Sequence, residues 1–238
     1  MTVMSEAPVA TGCPDAAASA QLRQLVGDAF AGFAGSTAYP CLGARSVIHR
    51  QAFQLGVYGR LGSAEAAGEL HTDLVRFGQD VGDAELASFV AVFTDPLAMT
   101  EAHFSELLWR QLQHLHDVDA TEHHWDARVS DDPEDPHFSF SVGGSAFFIV
   151  GLHPGSSRWA RRFAWPALVF NPHQQFEAMR QAGKYQRVRS AIRERDALLQ
   201  GTINPVLRDH GCMSEARQYA GDAVSESWRC PLVVHPRS

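Results

Sequence analysis

Residues 130–173, SDDPEDPHFSFSVGGSAFFIVGLHPGSSRWARRFAWPALVFNPH, decide how the rest of the chain is read. Phe138, Phe140 and Val142 alternate with Ser139 and Ser141, the period-2 pattern of a half-buried strand. Gly143-Gly144 is a two-residue hairpin signal, because both central positions of such a turn favour positive φ. Residues 146–152 are the most apolar run of the sequence and read as a strand buried on both faces. That strand must stop at His153, since Pro154 has no N–H for a ladder and biases the residue before it toward extended geometry. Residues 166–170 form a further short strand, and Asn171-Pro172 leads into a helix beginning near His173.

Working outward, Leu22, Leu25, Val26, Ala29, Phe30 and Phe33 follow helical spacing, and Gly35 ends that element. The segment Tyr39-Pro40-Cys41-Leu42-Gly43-Ala44 is a loop before a strand-like run at residues 46–58. Ser63 opens a helix with Leu70, Leu74 and Phe77 inward, closed by Gly82, and residues 87–93 read as a short strand. Thr100 caps a strongly periodic helix whose stripe is Phe104, Leu107, Leu108, Leu112 and Leu115. A basic-acidic helix over residues 184–199 ends at Gly201, with Arg193, Glu194, Arg195 and Asp196 expected as surface pairs. These elements predict a single α+β (mixed α/β) domain over residues 16–232. A central sheet of about five strands contains a β-hairpin and is surrounded by helices. The hairpin and the strand at 166–170 are expected near the middle of the sheet. Residues 1–15 are expected as a disordered tail and residues 233–238 as a loose one.

A chain of 238 residues with 45% apolar content can bury one sizeable core. The net charge of -7 argues against a nucleic-acid or anionic-membrane partner and is compatible with a cationic small substrate. Cys13, Cys41, Cys212 and Cys230 form no CxxC pair and suit a reducing cytoplasm. The first fifteen residues have neither a basic start nor a sustained apolar core, so neither a signal peptide nor a membrane span is expected there. There is no GxGxxG and no phosphate-binding glycine loop.

Several groups are candidates for chemistry. His153 stands where a rigid strand meets a loop, followed by Ser156, Ser157, Arg158, Arg161 and Arg162. An imidazole beside hydroxyls and guanidinium groups suits haem, whose iron takes an axial ligand and whose propionates need cations. The same residues also fit a strand-end histidine capped by its neighbours. Cys41 competes as axial ligand, since a thiolate binds haem iron strongly, although a lone cysteine before Leu-Gly-Ala also reads as a small core residue. His173 is a third candidate, as a distal acid or an alternative ligand, and equally reads as the N-terminal residue of its helix. His116, His123 and His124 lie among carboxylates, through which a two-histidine, one-carboxylate iron site can be drawn. Asp132, in the acidic run Asp131 to Asp135, could receive a cation or simply shape a solvated turn. In SEARQYAG, Glu215 could hold a cationic end and Arg217 a carboxylate, or the segment could equally be a salt-bridged cap.

The ordered motifs GLHPGSSRWARRF, PALVFNPHQQFE, IRERDALLQGTINPVL, SEARQYAG and the late WRCP, with the early YPCLGA, make the chain resemble the YqcI/YcgG family of bacterial proteins. Characterised members are haem-dependent N-oxygenases of natural-product pathways, acting on a side-chain nitrogen of arginine or an arginine-like amino acid. The resemblance implies haem b, held through His153 or alternatively Cys41, with Ser156, Ser157, Arg158 and Arg161 near the propionates. It also implies dioxygen, a cationic amino-acid substrate and an external electron donor, a reductase or ferredoxin. A homodimer is a further expectation.

Overall fold

Gly143 and Gly144 take φ values of 60° and 70°, as a tight hairpin requires, so the chain folds back with Val142 opposite Ser145. In this computed structural model, which describes residues 16–81, 86–204 and 211–235, that hairpin joins two strands of a five-stranded sheet. The strands are β1 (Phe53–Arg60), β2 (Ser88–Asp95), β3 (Phe140–Val142), β4 (Ser145–Leu152) and β5 (Ala167–Pro172), in spatial order β1-β2-β5-β4-β3. The helices are α1 (Ala16–Gly35), α2 (Leu42–His49), α3 (Ala64–Asp80), α4 (Glu101–Asp119), α5 (His173–Gln181), α6 (Tyr185–Gln200) and the single turn α7 (Ala216–Tyr219). β1 and β2 are parallel and joined by α3, while β2, β5, β4 and β3 pair antiparallel. The molecule is a single α+β domain.

Local signals placed the helix ends. The Ser63 hydroxyl accepts from the Ala66 N–H at 3.2 Å, the Thr100 hydroxyl accepts from the His103 N–H at 3.2 Å, and Gly201 closes α6 in the left-handed region. Gly82 lies outside the described residues.

Side-chain alternation divides the sheet into two faces. Phe89, Ala91 and Phe93 of β2, Phe147 and Ile149 of β4, and Leu168 and Phe170 of β5 meet Leu70, Leu74 and Phe77 of α3 and Phe104, Leu108 and Leu112 of α4. Each such fully buried phenylalanine or leucine contributes about 1.5–3 kcal/mol. Val90, Val92, Leu152, Ala167 and Val169 face the other way, toward Val26 and Phe30 of α1.

Four expectations change. Residues 46–49 belong to α2, because the Cys41 sulfur accepts from the Ala44 N–H at 3.4 Å and caps a helix; the strand begins only at Phe53. The hairpin is not at the centre of the sheet: β5 is central and β3 forms an edge. Ser139 and Ser141 are fully buried rather than solvated, their hydroxyls bonded to the Glu215 carboxylate and the Asp126 N–H at 3.0 Å each. The start of the expected loose tail is fastened to α4: Gln113 exchanges hydrogen bonds with the backbone of Val233, and the His235 N–H donates to His116 Nε2 at 2.8 Å. Among the described residues, no helix is long and apolar enough to cross a membrane.

Candidate functional site

On the α1 side of the sheet the helices stand off from β4 and β5. Phe148, Val150 and Leu152 with Val169 floor a cavity of about 300 Å³, walled by Phe30 of α1, Ile48 of α2, Phe176 of α5, and Val188 and Ile192 of α6. Phe148 and Val150 are therefore only partly buried, which the apolarity of residues 146–152 did not announce. Polar groups that reach the wall include Cys41, Arg158 with Arg161, Asn171 with Gln175, Arg189 and Arg193 with Asp196, and Glu215.

Strand parity decides the fate of His153. Phe148, Val150 and Leu152 point into the cavity, whereas Phe147 and Ile149 face α3 and α4, and a Cβ at Gly151 would meet Phe104 and Leu108. His153 continues the second series. Its ring stacks on Phe104 with centroids 4.3 Å apart, is 1% exposed, and does not line the cavity. Burial pushes the imidazole down to about 4, so it is neutral at physiological pH. Its Nδ1 has no hydrogen-bond partner among the described residues. A group bound in the cavity lies on the far side of the sheet from this ring.

The loop after β4 is satisfied by the protein itself. Ser157 donates its N–H and its hydroxyl to one Glu101 carboxylate oxygen, both at 2.8 Å, and the Ser156 hydroxyl accepts from the Arg158 N–H at 3.2 Å. Neither serine lines the cavity. Arg158 does, and it is buried in an ion pair with Asp196, Nη2 to Oδ2 at 2.6 Å, with further bonds to the hydroxyl and carbonyl of Thr202. Asp196 thus holds this loop onto α6 and is not a surface residue. Arg195, its neighbour, donates to the carbonyls of Thr37 and Tyr39 and so ties down the segment carrying Cys41. Arg161 donates to the carbonyls of Gly151, Gln218 and Tyr219. Burial pulls its guanidinium down to about 10, still charged at neutral pH.

Cys41 stands at the N-cap of α2 on the cavity wall, where burial pushes the thiol up and the N–H groups of Ala44 and Gly43 pull it back. Glu215 lines the cavity from the segment before α7; its Oε2 accepts from the Ser139 hydroxyl, and its Oε1 lies 3.8 Å from His173 Nδ1. His173, the buried first residue of α5, also pairs with Glu177 at 3.3 Å and backs Glu215 instead of lining the cavity. Arg217 points elsewhere: it lies over the Trp228 ring at 5.3 Å and donates to the Trp228 carbonyl at 2.6 Å, clamping the C-terminal segment. Asp132 is exposed and accepts from the Glu134 N–H at 3.0 Å, a turn residue outside the cavity. The structure therefore gathers Cys41, Arg158, Arg161 and Glu215, and it leaves His153, Ser156, Ser157, His173, Arg217 and Asp132 off the cavity wall.

A model of the YqcI/YcgG family matches residues 30–233. The chain belongs to the YqcI/YcgG family. The matched span contains all five strands and every cavity-lining segment from Phe30 to Gln218. No curated protein and no solved structure gives a match. In this YqcI/YcgG chain, sequence reasoning missed Asn171 and Gln175 on the wall. Asn171 is held by the Ser88 hydroxyl and by the carbonyls of Phe148 and Val169, and Gln175 accepts from the Ala87 N–H. The signal available was parity: Asn171 follows Val169 at strand spacing, and Gln175 lies one helical turn beyond it.

Proposed function

We propose that the protein is a haem-dependent N-monooxygenase that hydroxylates a guanidine or amine nitrogen of an arginine-like amino acid, and that the cavity beneath α1, α2, α5 and α6 is where this happens. The observation carrying the reading is the donor set of the cavity: one thiol, cationic groups and two buried carboxylates, Asp196 paired with Arg158 and Glu215, around an apolar floor. That set fits a haem. Cys41 would offer its sulfur to the iron, since it lines the cavity and no histidine does so among the described residues. Arg158 and Arg161 hold positive charge at the wall, and the hydrogen-bond partners of Arg161 are carbonyls and not carboxylates, which would suit a propionate. When bound, haem supplies the redox and oxygen chemistry, with electrons from a separate reductase or ferredoxin.

The chain's own part is binding, orientation and exclusion of water. Glu215 presents a carboxylate to the cavity, the group that a guanidinium or ammonium side chain pairs with. The Ser139 hydroxyl holds that carboxylate from behind, with the His173 ring 3.8 Å away. Phe148, Val150 and Leu152 keep the floor dry, which strengthens the pairing.

The test is the visible spectrum of the protein supplied with haem, reduced and exposed to carbon monoxide, followed by incubation with arginine, dioxygen and a reductant. A Soret band at the thiolate position that is lost in Cys41→Ala and kept in His153→Ala, with product one oxygen heavier, is expected. A colourless protein overturns the reading. A haem-bound protein that makes no product is a carrier or sensor using the same residues.

A further inference from the structure

On the opposite face of the sheet from the cavity, three potential metal ligands meet where α3, the end of α4 and the β3–β4 hairpin come together. His71 projects from the middle of α3, Asp119 is the last residue of α4, and His123 follows one turn later. One donor atom from each lies within 4.8 Å of the other two. His71 Nε2 is 2.9 Å from Asp119 Oδ1, and His123 Nδ1 is 3.1 Å from the same oxygen. Neighbouring ligands around a tetrahedral zinc ion, with bonds of roughly 2.0–2.2 Å, are separated by roughly 3.3 Å.

These contacts are not all hydrogen bonds. His71 is aligned with the carboxylate, but the buried Nδ1 of His123 makes no hydrogen bond among the described residues, to Asp119 or to any other group. The two atoms are close without meeting hydrogen-bond geometry. Asp119 Oδ1 is meanwhile fixed by the Gly143 N–H of the hairpin turn at 2.8 Å, an outer-shell bond that orients the carboxylate. The neighbouring candidates do not join: His116 Nε2 is taken by the His235 N–H, and His124 is exposed.

We propose that His71, Asp119 and His123 form a binding site for a divalent first-row transition metal, zinc being the simplest occupant. His71 binds through Nε2, His123 through Nδ1 and Asp119 through its carboxylate. Metal takes the place of the His71–Asp119 hydrogen bond, with the proton of a neutral His71 ring held on Nδ1 while Nε2 faces the ion. Two imidazoles and one carboxylate leave a coordination position open to water. It lies on the side of His123, whose side chain is 29% exposed against 8% for His71 and 4% for Asp119. The occupied site fastens α3 to the end of α4 and to the hairpin turn. It requires neither the cavity nor haem.

The experiment uses the full chain treated with a chelator and then titrated with Zn²⁺ by calorimetry, with cobalt absorption as a second readout. One saturable ion per chain is expected for the wild type, together with a rise in Tm and the visible bands of four-coordinate Co²⁺. His123→Ala removes a partly exposed ligand and should weaken binding at least about tenfold, while His124→Ala should bind as the wild type does. Should His123→Ala bind Zn²⁺ as the wild type does, or the wild type show no saturable site, the proposal is overturned. Chelation leaves haem in place, so failure here and failure of the haem reading are separately visible.

Discussion

Arg158 and Asp196 form a buried ion pair at 2.6 Å that joins the loop after β4 to α6. The two side chains are 10% and 5% exposed, and Asp196 also accepts from the Asn204 N–H at 2.8 Å. One carboxylate thus fixes the exits of two elements that wall the cavity. Removing one partner leaves the other charge buried and alone, so Asp196→Ala should cost about 3–5 kcal/mol. Replacing both, as Arg158→Met with Asp196→Leu, should recover most of that loss, because apolar side chains of similar size pay no desolvation penalty. Urea unfolding of the three proteins measures this; an Asp196→Ala midpoint equal to the wild type contradicts it.

His153 makes stability depend on pH. Its folded value is lowered to about 4 by burial, against about 6.5 in the unfolded chain. The unfolded state therefore binds more protons between these values. The contribution is complete above about pH 6.5 and is lost as pH falls toward 4, with a slope approaching about 1.4 kcal/mol per pH unit. The difference in urea midpoint between wild type and His153→Gln, followed from pH 7.5 to 4.5, should show this slope. Parallel curves would contradict it.

Gly221 and Gly183 separate backbone strain from collision. Both have positive φ, 92° and 66°. A Cβ at Gly183 meets nothing within 4 Å, whereas at Gly221 it would lie 2.4 Å from Arg161 Cδ. Gly183→Ala should cost about 1–2 kcal/mol, the left-handed penalty alone. Gly221→Ala should cost more, because the Arg161 guanidinium must leave its three carbonyls. Equal losses of thermal stability in the two variants would show that Arg161 is not held there.

Glu215→Gln tests the cationic-substrate reading without touching Cys41. The haem spectrum should be unchanged, and affinity for arginine should fall at least about tenfold, about 1.4 kcal/mol. Calorimetric titration of the haem-loaded protein decides; unchanged affinity removes Glu215 from the substrate site.

What the sequence by itself determined is what neighbouring residues decide among themselves. Gly143-Gly144 specified the hairpin, Ser63 and Thr100 the starts of α3 and α4, Gly201 the end of α6, and Pro154 the stop after β4. Each acts through backbone geometry or one hydrogen bond within a few residues. Residues 46–49 escaped that logic because the helix cap there is a cysteine sulfur, a weak acceptor that carries little sequence signal. Only the tertiary structure decided which face of the sheet holds the cavity, and so that Cys41 and Glu215 line it while His153 stacks on Phe104. It also decided that Asp196 pairs with Arg158, 38 residues away, and that His71 meets Asp119, 48 residues away. Contacts of that span arise from how helices pack on a sheet, and the spacing of charged residues along one helix does not encode which loop comes to rest against it.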